Sequence, residues 1–566
     1  MTAGASLESP VAPAPAPRAT WLAFAGCLVG LFMQMLDTTV VNIALPDLTV
    51  DLHASSAQQL LVLSVYTLAF ACTLLTASTI GRRVGRRRLF LVALVAFTAA
   101  SILCGLARGP LELIAFRGIQ GVGAALMSAQ TLALIAALFP KSHHGKVFGI
   151  YGAVAGVAAM LGPVLGGLLV DADLFGWGWR SIFFVNVPLA VAAYAFAAGR
   201  LPELRDAASS KVDLIGVVLS ATALFALLYP LSVGREQDWP LRLWLLMAGA
   251  LVLLGVFVRY EHRLQRRGGA SVLRVDLFSS RQFSVGLVLS LAFFSLFAGF
   301  FFTVSLSVQF GLGFSALKSG LLALPIAGGA VIGTLGSNAL VARFGSARTL
   351  SCGALIVAAG FAALALVLHP ESAAFPLGVV IGPLIVGGLG IGLFVAPLQT
   401  AILSGTRPEN VGSASGCVPT VQQIGASIGL TVVGVFFFGA VSSHAAPAVE
   451  TTRPALTQSL DDAGIEPMLA PLVVDRFAYC ATAQLTSSHP ERPAKGCSAT
   501  QKSGTAMQRK LAADAAPQVR VAARQVAAIS FLGALRTTLF VLAALALCVA
   551  AGALSLRSRV AGKPTG

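Results

Sequence analysis

Long apolar stretches alternate with short polar connections along nearly the whole chain. Each stretch has about 20 residues, the length that a helix needs to cross the hydrocarbon core of a bilayer. Fourteen such stretches lie near residues 20–45, 57–80, 89–107, 110–138, 146–170, 181–200, 212–232, 241–258, 284–308, 318–341, 349–368, 375–403, 415–441 and 534–556. The pattern predicts an all-α polytopic membrane protein with fourteen transmembrane helices.

The composition agrees with a membrane protein. Of the 566 residues, 56% are hydrophobic and 11% are charged, whereas soluble domains carry about 25% charged residues. The net charge of +16 does not indicate a nucleic-acid partner, because the basic residues fall in short clusters between apolar stretches, which is the pattern of topology signals. The Ala/Pro-rich start lacks the charged leader of a signal peptide, so we expect residues 1–19 to form a disordered cytoplasmic tail.

The distribution of basic residues predicts the topology. An even number of spans puts both termini on one side, and the segments on that side carry 23 Lys and Arg against five in the short segments opposite. By the positive-inside rule both termini are cytoplasmic. Residues 442–533 then form an extracytoplasmic loop with nine Lys and Arg, and long loops follow the charge rule poorly. Within this loop, the Ala-rich segments 454–479 and 505–530 are expected to form short helices.

A short internal repeat suggests two equivalent halves. The pattern R-x-G-x-x-R follows the second stretch at Arg83–Arg88 and the tenth at Arg343–Arg348. The match is short enough to arise by chance, but its placement favours a repeat about a central cavity, as in many transporters. The predicted units are the N-terminal six-helix bundle 20–200, the inserted helix pair with its linker 201–283, the C-terminal six-helix bundle 284–556 and the cytoplasmic tail 557–566.

Two opposite charges lie inside apolar stretches. Inserting a carboxylate such as Asp37 costs roughly 2.5–3.5 kcal/mol, so it needs a cation, a wet cavity or a proton. Arg117 lies about 10 Å and Asp37 about 13 Å from the same surface at 1.5 Å per residue, which predicts an ion pair. The alternatives are a solvated Asp near a helix end and an Arg that extends to the surface.

The fifth stretch carries small residues on one helical face, at Gly152, Gly156, Pro163 and Gly167, beside Gly162. Small faces let membrane helices approach closely, and a proline removes one backbone hydrogen bond and favours a bend. We interpret this face as a packing hinge. Ordinary packing of a chain with 58 glycines is the alternative.

Several motifs occur in a family-specific order. They are Leu36–Pro46, Arg117 with Gln120 and Gly121, Gly162-Pro163, Trp179–Pro188, Gly392–Pro397, Gly412–Gly416 and Gln423–Gly425. This order resembles the fourteen-span drug:proton antiporters of the major facilitator superfamily, over about residues 20–441 and the last span. The resemblance implies two six-helix bundles around a central pocket, which is open alternately to each side. It also implies a monomeric multi-pass protein of the cell membrane that exports amphipathic drugs or antibiotics, with the proton gradient as energy source and no cofactor.

One segment departs from the family pattern. The turn after the second stretch resembles the family's gating motif through Arg83, Gly85 and Arg86, but Arg82 stands where the family usually has an acidic residue. That acid is thought to form an ion pair that closes the inner gate. In this chain, the pair is either missing or formed by an acid from elsewhere.

The polar content of the stretches bears on the substrate. Asp37 and Glu112 are the only acids clearly inside them, which favours neutral, monocationic or zwitterionic amphiphiles. Phenylalanines at 293, 294, 297 and 300–302 either stack on such a molecule or pack in the core. The predicted pocket residues are Gln34, Gln120, Gln130, Gln309, Asn338, Gln399, Gln422 and Gln423.

Two cysteines and two alternative functions complete the sequence predictions. Cys480 and Cys497 are the only cysteines of the outer loop, and an oxidising compartment preserves such pairs, so we predict a disulfide. An exporter of a lipid or secreted metabolite is the second hypothesis. An integral-membrane enzyme is the third, but it would need clustered polar groups, and the nearest candidate, His143-His144, has no acidic neighbour. The chain has no Gly-rich phosphate-binding loop for ATP, and we expect no metal site.

Overall fold

The computed structural model describes residues 18–54, 56–140, 143–204, 213–234, 237, 239–269, 271–404, 411–487, 497 and 506–556. Within these ranges the chain is almost entirely helical and contains no strand. Helices satisfy every backbone polar group internally, which is what an apolar chain in lipid requires. The predicted tail 557–566 and all but the last two residues of the predicted tail 1–19 lie outside the described residues.

The first half of the chain forms a helical bundle. Its helices are α1 (Arg18–Leu52), α2 (Ser56–Val84), α3 (Arg86–Gly105), α4 (Pro110–Leu138), α5 (His144–Asp171), α6 (Ser181–Phe184) and α7 (Asn186–Ala197). Two short 3₁₀ turns, Leu174–Gly176 and Gly178–Arg180, precede α6. The core of this bundle is filled by side chains of α1–α5 and α7, among them Phe24, Phe90 and Phe97.

The inserted pair consists of α8 (Leu214–Val233) and α9 (Leu241–Arg266), which pack against each other. α9 is followed by an irregular segment, residues 271–280, that contains the 3₁₀ turn Val275–Ser279. We call this segment the linker. α8 also packs against α2, where Leu228 is buried with Leu68 and Ala71.

The second bundle comprises α10 (Arg281–Leu306), α11 (Ala316–Leu321), α12 (Ala323–Phe344), α13 (Ser346–Val367), α14 (Leu377–Ser404), α15 (Val411–Asp462), α16 (Ala470–Thr486) and α17 (Ala506–Ala553). A π-helical turn at Ser307–Gly311 follows α10, and a 3₁₀ turn at Pro370–Ser372 precedes α14. Side chains of α10, α12–α15 and α17 form a second core, separate from the first.

The two R-x-G-x-x-R segments form equivalent turns. Gly85 links α2 to α3 with φ 107°, and Gly345 links α12 to α13 with φ 82°. Residues with a Cβ rarely adopt such positive φ values, so glycine is required in both places. The N–H of Gly85 bonds the carbonyl of Gly81, and that of Gly345 bonds the carbonyl of Val341. The shared geometry supports the predicted repeat.

The two bundles meet through α2 against α15 and α5 against α12. A Cβ added to Gly416 of α15 would press on the side chain of Ser78 of α2. Ser78 lies one and a half turns before the arginine-rich turn between α2 and α3. We call this membrane side, defined by Arg82, Arg83, Arg86, Arg87 and Arg88, the basic side. The bundles are therefore in contact near the basic side.

The structure does not reproduce the count of fourteen spans in full. Twelve described helices are long and apolar enough to cross a membrane, and α2, which is bent by 55° near its middle, makes a thirteenth. The fifth predicted stretch is helical throughout, within the 28-residue helix α5.

The region 442–533 differs more strongly from the prediction. α15 is 52 residues long and continues to Asp462, while α17 begins at Ala506 and is 48 residues long. The segments 454–479 and 505–530 are largely helical as expected but are not short helices of their own, because the first is divided between α15 and α16 and the second belongs to α17. Alanine-rich sequence has high helix propensity, so both long helices continue beyond their apolar parts. Their extensions and α16 enclose a small core that includes Leu460, Phe477 and Val526.

Candidate functional site

The two intramembrane charges form a buried ion pair between α1 and α4. Nη1 of Arg117 lies 2.5 Å from Oδ2 of Asp37, and their side chains are 1% and 0% exposed. Each charge offsets the other, which removes most of the cost of keeping either one away from water. Arg117 therefore does not extend to the surface, and Asp37 is not solvated.

Polar groups on three helices complete the surroundings of Asp37. Gln120 donates from Nε2 to Oδ1 of Asp37 at 2.8 Å and accepts from Nη1 of Arg117 at 2.9 Å. Asn186 of α7 donates to the same Oδ1 at 3.4 Å and to Oγ of Ser101 on α3 at 3.0 Å. The carboxylate thus accepts from three different side chains. A proton on Asp37 would remove the negative charge with which Arg117 is paired.

An aromatic ring and one backbone carbonyl complete the surroundings of Arg117. Its guanidinium lies 4.3 Å from the ring centroid of Tyr66 on α2, a cation–π contact that favours a buried positive charge. Nε of Arg117 donates to the carbonyl of Val62 at 3.5 Å, and the hydroxyl of Tyr66 donates to the carbonyl of Gln34 at 3.4 Å. The site therefore links α1, α2 and α4.

Close helix crossings place these groups. A Cβ on Gly121 would collide with the backbone carbonyl of Tyr66, so this glycine lets α4 approach α2 one residue after Gln120. A Cβ on Gly162 of α5 would collide with the side chain of Thr39, two residues after Asp37. By contrast, a Cβ on Gly152, Gly156 or Gly167 would meet no described heavy atom within 4 Å.

Of the predicted small residues of α5, the one in close contact among the described residues is Gly162, which lies beside the predicted face. Gly162 lies at a close contact with α1, whereas the side of α5 with Gly152, Gly156 and Gly167 has open space in front of it. The backbone of Pro163 is helical, but its side chain is outside the described part. The prediction and the contacts of α5 differ because 3.6-residue periodicity shows which residues share a helical face. It does not show which face a neighbouring helix covers.

The predicted polar pocket residues are dispersed. Besides Gln120, only Gln34 adjoins the ion pair, and its Oε1 is buried without a partner among the described residues. Gln130 donates to the carbonyl of Ala77 at 2.9 Å and so links α4 to α2. It lies 13 residues after Arg117 on α4 and thus away from the ion pair. Asn338 is exposed.

The remaining four lie in the second bundle. Gln309 donates to the hydroxyls of Ser305 and Ser319 in its own bundle, at 2.7 and 3.3 Å. Gln399 is 7% exposed, and its Oε1 has no partner among the described residues. Gln422 and Gln423 are half-buried. None of these four contacts the ion pair in the described contacts.

The phenylalanines of α10 divide into two groups. Phe293 stacks on Phe394 with centroids 4.2 Å apart, and Phe300 stacks on Phe361 at 4.4 Å. Both are fully enclosed in the second core, so they serve packing. The other four are half-buried: Phe294, Phe297, Phe301 and Phe302.

The arginine-rich turn contacts the linker. Nη2 of Arg82 donates to the hydroxyl of Thr79 and to the carbonyl of Ser271, each at 3.4 Å. The side chain of Arg86 is buried, and its backbone N–H donates to the carbonyl of Leu204 at 3.1 Å. Arg83 is exposed. Within the described residues, the arginine that replaces the family's acid is thus bonded to a backbone carbonyl of the linker.

A second ion pair lies at the C-terminal end of α1 and was not anticipated from the sequence. Oδ2 of Asp51 accepts from Nη1 of Arg180 at 2.7 Å and from Nε1 of Trp179 at 3.0 Å. These two hydrogen bonds, that of Arg180 first, lower the pKa of Asp51 below its usual value. The Trp179-Arg180 motif was recognised, but nothing in the sequence indicated Asp51 as its partner.

A disulfide joins Cys480 of α16 to Cys497, with their Cα atoms 5.6 Å apart. It lies in the helical extension beyond the apolar parts of α15 and α17. Among the described residues no group of three or more His, Cys, Asp or Glu side chains could hold a metal ion.

Comparison with known proteins gives a consistent result. A model of the Major Facilitator Superfamily matches residues 27–430. The chain is 35% identical over 485 residues to the probable actinorhodin transporter of Streptomyces coelicolor, covering 85% of this chain and 84% of that one. It is 33% identical over 417 residues to the tetracenomycin C resistance and export protein of Streptomyces glaucescens, covering 73% and 75%. It is 33% identical over 458 residues to a puromycin resistance protein of Streptomyces alboniger, covering 80% and 88%.

Solved structures resemble the chain in fold. The human organic anion transporter MFSD10 aligns with a TM-score of 0.52 at 16% identity, over 74% of this chain and 94% of that one. The proton:xylose symporter XylE aligns with a TM-score of 0.52 at 17% identity, over 74% and 88%. At these identities the likeness concerns the arrangement of helices.

Proposed function

The chain belongs to the major facilitator superfamily of membrane transporters, as its motifs predicted, and on this premise we propose that it exports amphipathic drugs or antibiotics in exchange for protons. The observation that carries the proposal is the buried pair of Asp37 and Arg117, with Gln120 bonded to both. Relatives named for the export of or resistance to actinorhodin, tetracenomycin C and puromycin suggest the class of substrate.

The proton-coupled step follows from the hydrogen bonds of Asp37. When Asp37 is ionised, Arg117, Gln120 and Asn186 all donate to it. When it takes a proton, its charge disappears and Arg117 loses its ionic partner. The preferred positions of α1 and α4 then change, because an unpaired buried guanidinium is costly. A site that opens alternately to two compartments can therefore accept a proton on one side and release it on the other.

The chemistry of the substrate follows from the remaining polar groups. Asp37 is already paired, so little negative charge is left for a dication, and neutral, monocationic or zwitterionic amphiphiles fit better. Oε1 of Gln34 and Oε1 of Gln399 are buried acceptors without a partner among the described residues. A donor on the substrate would satisfy either of them, since buried polar atoms are normally hydrogen-bonded.

The cellular arrangement rests on charge. We propose that the basic side is cytoplasmic, because Lys and Arg accumulate in cytoplasmic connections, and that both termini lie on that side. The extension of α15–α17 with its disulfide is then outside, where disulfides persist. The working unit in this proposal is a monomer in the cell membrane, with protons, lipid and a small amphipathic molecule as its partners.

The test is uptake into everted membrane vesicles energised by a pH gradient. The compounds tested are a panel of antibiotics and, for the alternative substrate class, a lipid. We expect Asp37→Asn to abolish gradient-driven uptake while the protein inserts normally, since asparagine has a similar volume but cannot exchange the proton. Glu112→Gln is the matched control, because Glu112 is an exposed acid at the start of α4. Wild-type uptake by Asp37→Asn, or wild-type uptake that persists after the gradient is collapsed, would contradict the proposal.

A further inference from the structure

Two carboxyl groups meet at the basic side of the inserted helix pair, away from Asp37. Asp213 caps the N-terminus of α8, and its Oδ1 accepts from the N–H of Gly216 at 3.0 Å and from the hydroxyl of Tyr260 at 2.8 Å. Glu261 of α9 is 0% exposed. Its Oε2 accepts from the N–H of Leu273 in the linker at 3.3 Å.

The second oxygens of these two carboxyl groups face each other. A Cβ on Gly216 would collide with both Oδ2 of Asp213 and Oε1 of Glu261, so both atoms lie over the same glycine. Because both oxygens lie so close to the same point, they are less than about 5 Å apart. Both oxygens are buried and have no donor among the described residues.

Charged neighbours do not neutralise the pair within the described residues. Neither carboxyl group takes part in an ion pair there. Tyr260 is neutral and already donates to Asp213. On α2, the half-buried Arg82 donates to the carbonyl of Ser271. The other titratable or charged side chains nearby on α9 and the linker are exposed: Arg259, His262, Arg263, Arg274 and Asp276, the last of which is bonded to Gln265.

Two facing carboxylates repel each other when no cation lies between them, and the part of the chain that the structure describes supplies none here. One shared proton turns this repulsion into a hydrogen bond. We propose that Asp213 and Glu261 form a second proton-binding site, which holds the linker against α2 when one proton is bound. The site is separate from the Asp37 site and does not depend on the proposed export function.

The linker connects this site to the arginine-rich turn. Leu273 bonds Glu261, and two residues earlier the carbonyl of Ser271 accepts from Arg82 at the end of α2. Val275 adds a bond to Oε1 of Gln265 at 3.2 Å. Loss of the shared proton would separate the carboxylates and remove Glu261 as a fixed anchor. The linker would then leave α2, so the state of the proton at α8–α9 would act on the segment that the resemblance assigns to gating.

Hydrogen–deuterium exchange of the full-length protein in lipid nanodiscs tests this inference. The readout is the protection of the Leu273 amide between about pH 5.5 and about pH 8.5, a range in which an unpaired Asp or Glu stays ionised. Rates are corrected for intrinsic exchange with an unstructured peptide. The linker-bound form holds one more proton than the released form. We therefore expect protection to fall about tenfold per pH unit above the pH at which the pair loses its shared proton.

Two amide variants separate the shared proton from other causes. A glutamine at position 261 donates to Asp213 permanently and still accepts from Leu273, so Glu261→Gln should keep protection constant with pH. Asp213→Asn should do the same from the other side, and it provides the test if Glu261→Gln does not insert. Glu203→Gln removes an exposed acid nearby and should retain the wild-type pH dependence.

The outcomes are distinct. Constant protection of the wild-type protein across this range would overturn the inference, and so would an equal loss in Glu261→Gln and the wild type. Drug export is not measured, so failure of the Asp37 mechanism leaves this result unaffected.

Discussion

Removal of Arg117 should uncouple the transporter without unfolding it. In Arg117→Ala the carboxylate of Asp37 keeps Gln120 and Asn186 as donors but loses its only cation among the described contacts. Breaking a buried ion pair on one side costs about 3–5 kcal/mol. Asp37 avoids this cost by binding a proton, because the neutral carboxyl group needs no cationic partner.

The permanently protonated site can no longer release its proton on each cycle. We expect Arg117→Ala to lose uptake driven by the pH gradient in reconstituted liposomes, while exchange of substrate for substrate continues. The double variant with Asp37→Asn should recover the thermal stability that Arg117→Ala loses, but not the coupling, because the two sites interact directly. Arg180→Ala, which breaks the exposed pair at the other end of α1, is the control. Gradient-driven uptake at the wild-type rate in Arg117→Ala would refute this reasoning.

Three further predictions concern the periphery. Asp51→Asn should lower the free energy of unfolding by less than about 1 kcal/mol, since the pair with Arg180 is exposed. Because the pKa of Asp51 is lowered, this difference is present at neutral pH and disappears as the pH falls through that lowered pKa. Melting curves recorded across this pH range measure it. Arg82→Asp should change the transport rate by about fivefold at unchanged expression, as loss of a donor to the linker carbonyl costs about 1 kcal/mol; a similar change in the exposed Arg83→Asp would contradict it. Cys497→Ser should raise protease sensitivity of the outer helices, because the disulfide restrains them by roughly 3 kcal/mol, and mass spectrometry of the non-reduced wild-type protein should find no free thiol at this position.

The sequence predicted the features that follow from local chemistry. Apolar stretches of spanning length predicted the helices, and similar depth below one surface predicted that Asp37 and Arg117 lie together. Two glycines in equal sequence contexts predicted equivalent turns, which Gly85 and Gly345 form with positive φ. Each inference needed only a helix rise, a solvation cost or a backbone preference.

Features that depend on which helix lies beside which could not be predicted in the same way. Gln130 is a polar residue in an apolar stretch, as a pocket residue would be, yet its amide donates to a backbone carbonyl of α2. The pairs of Asp51 with Arg180 and of Asp213 with Glu261 join residues separated by 129 and 48 positions, and no periodicity links them. The lengths of α15 and α17 were underestimated because hydropathy marks where the bilayer ends, not where a helix ends.

The contact between Gly162 and Thr39 gives a last prediction, on how the proton site reaches the second bundle. Thr39 lies two residues after Asp37, and α5, which contains Gly162, also packs against α12. In Gly162→Ala the new methyl group would collide with Thr39 and force α1 and α5 apart, at a cost of about 1–3 kcal/mol. We expect slower export with the ion pair still formed, and recovery in the double variant with Thr39→Gly, which removes both colliding atoms, Oγ1 and Cβ. Gly152→Ala, with open space at its Cβ, should transport normally. If Gly162→Ala alone transports at the wild-type rate, the spacing of α1 and α5 does not carry the coupling between the bundles.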